Sequence, residues 1–368
     1  MAITFTQEPT GIYPAYNDSY ITFSNVQVGV TTRYARITAE PFDNYFTIYP
    51  DTNGIFTFNL KEIVKANFDG FEDSTFIPPS AQYEIKDDRI LDLDVNIWLD
   101  NGSTITVEDK TYTFSKSVKQ IDETIFENNC QLLHKSTNGI DYNLTYFEGY
   151  EFQFELLKVS GNTDIKIVNL NSTNEEVIIT GNTDSNTMRL WVDKGTSNWT
   201  TLNVIALTDN VNRLEIYEDD VFKTNLNLKK VPSKCGVYLK WFNPQGGYSY
   251  WLFDEYYRET LKGKAIGEIT RNSFLNVDES PKSFSYNQGK EITKTLRLKS
   301  TMNNDEINYV KEILTSPSVQ LYTSQTPFQT GEWITVNVSG TVNTNNRRIN
   351  GNDITLTVEL PVQYNITY

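Results

Sequence analysis

One histidine and two cysteines, His134, Cys130 and Cys235, are the chain's whole stock of imidazole and thiol. Nucleophilic catalysis would take one of the cysteines, or a serine, with His134 as its base. Cys130 and His134 stand four apart, which would put them on one face of a helix. Their flanks, Asn128-Asn129 and Lys135-Ser136-Thr137, supply no glycine-rich nucleophile elbow. The pair reads as a small apolar thiol and a surface imidazole. Zinc chemistry built on two histidines is excluded by count.

Carboxylates are plentiful. Asp92, Asp94 and Asn96 alternate along one stretch, about 7 Å apart on a strand face. Calcium would need help there from a loop, and the EF-hand spacing is absent. A solvated strand face is the better reading, and Asp87-Asp88 and Asp219-Asp220 read as turns. Glycoside hydrolysis needs a carboxyl pair, for which Asp254, Glu255, Asp278 and Glu279 are candidates. With 47 Asp and Glu in the chain, such pairs also arise by chance. Dinucleotide fingerprints and phosphate loops are missing, because Gly246-Gly247 is followed by no helical pattern. The chain is therefore read as non-enzymatic, with no catalytic residue, metal ligand or cofactor assigned.

Aromatic residues are the remaining candidates. Trp241, Tyr248, Tyr250 and Trp251 surround the turn 243–247. Val237, Leu239 and Trp241 share one strand face, while Tyr238, Lys240 and Phe242 share the other. Both faces are apolar or aromatic, so this hairpin is expected to be covered on both sides. Core or subunit-interface packing is favoured over a sugar-binding platform.

The elements that must position these residues are mostly strands. Period-2 alternation is clearest over residues 90–100, where Leu91, Leu93, Val95, Ile97 and Leu99 fall on one face. Asn101-Gly102 then predicts a tight turn, with a return strand over 104–107. Hairpins are also predicted for 45–49 with 55–60, 236–243 with 248–254, and 333–342 with 354–362. The best helix spans 304–315: Asn303 can cap it, Asp305 and Glu306 suit its positive start, and Pro317 stops it. Weaker helices are read at 60–68 and 117–126. Residues 70–88, with Pro78-Pro79 and no periodicity, read as a long arm. The expected fold is mainly β, a multi-domain β-sandwich with a few short helices. Its domains are 1–140 with the arm 70–88, 141–232, and 233–368 with the helix 304–315.

Composition agrees. The 368 residues carry 32 Lys and Arg against 47 Asp and Glu, a net charge of −15. That balance argues against a broad basic face for nucleic acid. No stretch approaches the roughly 20 apolar residues of a membrane-spanning helix. The opening MAITFTQEPT shows no secretory signal. Two cysteines suit a chain folded in a reducing cytosol. Asn, Thr and Tyr serve turns and strands. Seven Asn-x-Ser/Thr sequons match chance in so Asn-rich a chain.

Several segments resemble one family. They are Gln7-Glu8-Pro9 with residues 13–19, the hairpin into helix over 54–68 (GIFTFNLKEIVKANF), residues 236–253 (GVYLKWFNPQGGYSYWLF), and residues 305–322 with the Trp333 strand. Together they resemble tail, neck and baseplate structural proteins of tailed phages infecting Bacteroidota, including crAss-like phages. The resemblance implies a virion subunit that assembles with copies of itself into a ring. That ring would stack on other tail or neck proteins after assembly in the host cytoplasm. A negative lumen would let DNA pass without sticking, by like-charge repulsion. Neither specific nucleic-acid binding nor membrane insertion is implied. Under this reading the arm (Phe71, Phe76, Ile77, Pro78, Pro79) and the aromatic hairpin (Tyr238, Trp241, Phe242, Tyr248, Tyr250, Trp251) make the subunit contacts. The alternatives are a carbohydrate-binding receptor-recognition protein and a glycan-cleaving enzyme with paired carboxylates.

Overall fold

A computed structural model describes the chain apart from residues 1–2, 26–32, 69, 72–82, 86, 101, 103, 121–129, 158–162, 173–174, 180–186, 195–206, 209, 233–234, 274–281, 324–331, 345–350 and 362–368. The protein is mainly β, a multi-domain sandwich protein with two short α-helices among the described residues. It divides into two compact units, Met1–Ser233 with Phe242–Ser249, and Lys234–Trp241 with Tyr250–Tyr368. Strand Tyr83–Ile85 pairs with Thr187–Lys194 across the boundary expected near 140, and both strands lie in the first unit.

The first unit opens with a sandwich. One sheet has three strands in the order Ile3–Gln7, Tyr20–Asn25, Ile55–Asn59. The other has five, Ile12–Pro14, Ile105–Ser115, Ile90–Asp100, Tyr34–Ala39 and Phe42–Ile48. Their inward side chains alternate as the sequence does, so Leu93, Val95, Ile97 and Leu99 meet Ile21, Phe23 and Phe56 in one core. Phe23 and Phe56 stack at 5.3 Å between ring centroids. Each such fully buried side chain contributes about 1.5–3 kcal/mol of transfer free energy. Helix Lys61–Asn67 adds Ile63 and Val64 to that core.

Two expected hairpins differ from the structure. Strand Phe42–Ile48 pairs with Tyr34–Ala39, and Ile55–Asn59 pairs with Tyr20–Asn25, so residues 50–54 carry the chain between sheets. Asp51 accepts from the backbone N–H groups of Asn53 and Ile55, and Gly54 has φ +78°, which is the chemistry of a hairpin turn put to another use. The turn after Asp100 is also longer than the expected two residues, because Asp100 pairs with Ile105. The return strand then runs to Ser115.

Two more sheets complete this unit. One orders Gln131–Leu132, Glu151–Leu157, Thr187–Lys194 and Tyr83–Ile85. The other orders Asp141–Phe147, Val221–Val231, Asn210–Glu218, Ile165–Asn169 and Glu175–Ile179. Asparagines bridge strands as well as turns. Asn225 donates to Asp141 at 2.8 Å and Asn227 to Asn143 at 3.0 Å across a parallel pair, and Asn169 donates to Asn212 at 3.0 Å in the interior. The amide of Asn225, then that of Asn138, holds the Asp141 carboxyl below its usual pKa.

A seven-stranded sheet orders Tyr248–Phe253, Val237–Phe242, Val319–Tyr322, Trp333–Asn343, Asn352–Glu359, Lys282–Met302 and Tyr256–Ser273. The strand starting at Trp333 pairs with the one starting at Asn352, as expected. The helix runs from Asn304 to Val310 and tightens into a 3-10 turn, Lys311–Leu314. Asn303 accepts from the Glu306 N–H at 2.8 Å, and the Glu306 carboxylate accepts from the Asn303 N–H at 3.1 Å, a reciprocal cap. Residues 117–120 form no helix, and 121–126 lie outside the described residues.

Candidate functional site

The hairpin Val237–Phe253 holds six of the aromatic candidates. Trp241, Tyr238, Tyr250, Phe242, Tyr248 and Trp251 are all buried within the single chain. In the second unit the Tyr238 ring stacks on Tyr250 at 5.9 Å and meets Trp333 at 5.8 Å, while Trp251 stands edge-on to Tyr309 at 6.0 Å. Side chains that have already left water have no surface to give a second subunit. The interface expected at these six is therefore corrected: they are core, as coverage on both faces of the strands implied.

The tip, Phe242–Ser249, clusters with the first unit. Asn243 N–H donates to the Gly247 carbonyl at 2.9 Å and closes the turn, and Gly246 takes φ +93°. Val118 N–H donates to the Pro244 carbonyl at 2.7 Å, and the Asn243 amide donates to the Leu133 carbonyl at 3.1 Å. Ser249 Oγ accepts from that amide and shares a 3.0 Å hydrogen bond with His134 Nε2.

That Ser–His contact has the spacing of a nucleophile and its base. Its surroundings argue for structure instead: both residues are buried, Ser249 lies within the strand Tyr248–Phe253, and its oxygen is already engaged by Asn243. The surface imidazole expected at position 134 is a correction, since burial pulls its pKa down to about 4 and keeps it neutral. Cys130 is buried as expected, and Cys235 is an exposed free thiol.

Beneath the tip lies a buried ionic cluster with no signal in any local motif. Arg189 donates to Glu155 Oε1 through Nε at 3.0 Å and Nη2 at 2.8 Å, and Arg89 Nη2 stands 3.6 Å from the same oxygen. Both guanidiniums face aromatic rings of the tip, Arg89 over Phe242 at 5.3 Å and Arg189 over Tyr248 at 5.6 Å. Burial pulls the Arg89 pKa down, but Glu155 and then Asp88 outweigh it, so the side chain stays charged. Strand Glu151–Leu157 is buried at every position, its Glu and Gln included.

Phe71, the one described residue among the arm's expected contacts, lies among its own chain. Its ring meets Phe242 at 5.0 Å and Tyr16 at 5.7 Å, and its carbonyl accepts from the Tyr248 hydroxyl at 3.0 Å. Phe76, Ile77, Pro78 and Pro79 lie outside the described residues, as do Asp278 and Glu279. Glu255 accepts from the Thr301 N–H at 2.9 Å and from its hydroxyl, so it serves as a strand bracket.

Exposed groups gather elsewhere, on the solvent face of the five-stranded sheet of the first unit. Trp98 is 43% exposed, with Arg36 and Val107 as its cross-strand partners. Tyr45 is 53% exposed, and the Arg36 guanidinium lies 4.3 Å from its ring centre. Tyr34 donates to Asp100 at 2.6 Å, which lowers the carboxyl pKa and raises the phenol pKa. Asp92 and Asp94 accept from Thr113 and Thr111 at 2.6 Å each, so this is the solvated face expected of them. Strict alternation from 90 to 100 placed Trp98 here, a signal that could have found the patch.

Among the described residues, no group of three His, Cys, Asp or Glu is placed to hold a metal ion. No helix among them is long and apolar enough to cross a membrane. No protein-family model matches the chain, and no curated protein matches it.

Proposed function

We propose that the chain is a non-enzymatic structural subunit of a virion, one copy of a homo-oligomeric ring in the tail, neck or baseplate of a tailed phage infecting Bacteroidota. The observation that carries this reading is the open-sheet architecture. Among the described residues five sheets run in linear order, and each ends in edge strands, whose outward N–H and C=O groups are the kind of template that pairs with another chain. The segments that resemble such proteins, 54–68 and 236–253 among them, lie in well-packed parts of this architecture. Other tail or neck proteins and further copies are the proposed partners, and the host cytoplasm is the proposed place of assembly. The net charge of −15 suits a wall that DNA passes without binding.

Mass spectrometry of gradient-purified virions tests the proposal. Peptides of this chain are expected in fixed ratio to other tail proteins, with a ring in electron micrographs. Absence from intact particles sinks it.

A second reading, carbohydrate recognition on a fibre or baseplate, is favoured by one feature. Trp98 and Tyr45 present exposed rings beside Arg36, with the Asp100 carboxylate in electrostatic reach of that guanidinium, the mix of stacking surface and hydrogen-bonding groups that sugars need. A glycan array screened with wild type and Trp98→Ala decides it: binding lost in the variant supports it, and no wild-type binding removes it.

A further inference from the structure

We infer that the two-stranded ribbon Tyr256–Ser273 with Lys282–Met302 is an assembly arm that is covered by a second copy of this chain. The inference rests on the ring reading, in taking the partner to be another copy.

The ribbon outruns its sheet. Its strands pair with each other in register from Tyr256–Lys299 out to Ser273–Lys282. The third strand, Asn352–Glu359, reaches only Thr295–Met302. Among the described residues, no third strand of the sheet pairs with 282–293, and Tyr256–Ser273 is the last strand of the sheet. About 12 residues per strand, roughly 40 Å of ribbon, thus have no third strand. Two strands alone are marginal in water, and among the described residues neither edge of this stretch adjoins a further strand of the sheet.

Its side chains look for a partner too. Leu261 is 59% exposed and Ile266 is 60% exposed. Tyr256 and Tyr257 are exposed at successive positions, hence on opposite faces. Bulges at Ala265–Glu268, where Gly267 faces Gly289, add twist and keep the ribbon from being a flat edge open to any strand.

Charge selects the occupant. The two strands hold nine Lys and Arg against three Glu, a net of +6. The remaining residues hold the other 23 cations and 44 acids, a net of −21. A basic ribbon on a strongly acidic chain is complementary to another copy of that chain. Duplex DNA would meet a chain whose remaining residues carry −21, and Glu259, Glu268 and Glu291 break up the basic run of the ribbon.

Light scattering coupled to size exclusion tests the arm. The variants are K262E/K264E/K290E, and a chain in which residues 263–292 are replaced by an Asn-Gly turn that rejoins the paired Lys262 and Thr293. The second guards against a misfolding artefact of the first, and circular dichroism checks both folds. Wild type is expected at a multiple of 42.3 kDa in low salt. Both folded variants are expected at the single-chain mass, with association weakened about tenfold or more. Variants that keep the wild-type mass overturn the arm and leave the ring reading standing. A monomeric wild type at tens of micromolar also overturns the arm. So does wild type that binds duplex DNA at physiological salt through these lysines. Absence from virions, by contrast, removes the ring reading whatever the arm does.

Discussion

A Cβ built on Gly247 would stand 2.3 Å from the Leu133 carbonyl oxygen and 2.9 Å from the Leu133 Cβ. No flexible side-chain end can yield there, because the nearer obstacle is backbone. Gly247→Ala must therefore push the tip off residues 130–134 and strain the Asn243, Ser249 and His134 hydrogen bonds. We expect a loss of about 3 kcal/mol, the upper part of the range for overpacking. Gly54→Ala is the control: it also replaces a turn glycine, at φ +78°, but meets nothing within 4 Å. Its cost is the left-handed backbone alone, about 1 kcal/mol. Urea midpoints of the two variants measure the difference, and equal losses would show that the Leu133 contact is relieved at no cost.

Glu155 Oε1 stands 2.8 Å from Arg189 Nη2 and 3.6 Å from Arg89 Nη2, so one carboxylate serves both guanidiniums of the buried cluster. Glu155→Gln leaves two guanidiniums facing each other with less counter-charge, and a cost of about 3–5 kcal/mol is expected. Adding Arg189→Met removes one stranded cation, so the double variant should regain part of the loss. Chemical denaturation of the four members of this cycle checks it. Additive losses would mean that the pair does not act as a unit.

How much of this was legible follows from the range of each interaction. Alternation from 90 to 100 gave a strand whose buried and exposed faces are those observed, because one face meets a core and the other water. The cap at Asn303 was readable because its partner is three residues away. Residues 50–54 misled, since Asp51 and Gly54 make the same turn whether the next strand returns to its own sheet or enters another. Strand Glu151–Leu157 alternates polar and apolar residues like a half-exposed strand, yet it is buried throughout. Its outward-looking Glu155 is paid for by Arg189, 34 residues away, a partner that no local window contains. His134 looked like a surface residue for the same reason, because Ser249 lies 115 positions along the chain.

The reciprocal cap of the second unit is a cleaner local test. Asn303→Ala removes the acceptor for the Glu306 N–H and is expected to cost about 1 kcal/mol. Asn303→Asp keeps an acceptor and adds a negative charge at the positive helix start, so it should be neutral or slightly stabilising. Thermal unfolding in low and high salt separates the two effects: the aspartate gain should shrink with salt, whereas the alanine loss should not.

His134 gives the stability of the first unit a defined pH dependence. Burial lowers its pKa from 6.5 to about 4, outweighing the opposing hydrogen bond with the Lys135 backbone. Between those values the unfolded chain binds a proton that the native chain refuses. The stability tied to a neutral imidazole is thus complete above pH 6.5 and declines as pH falls toward 4, by about 3 kcal/mol in all. His134→Gln keeps an amide near Ser249 and removes the titration. Carboxylates titrate in both proteins, so their contribution cancels in the difference. The unfolding free energy of wild type minus that of the variant should stay constant from pH 8 to 7 and then fall by about 3 kcal/mol on the way to pH 4. A difference that remains flat to pH 4.5 would show that the imidazole takes up its proton without leaving the buried site.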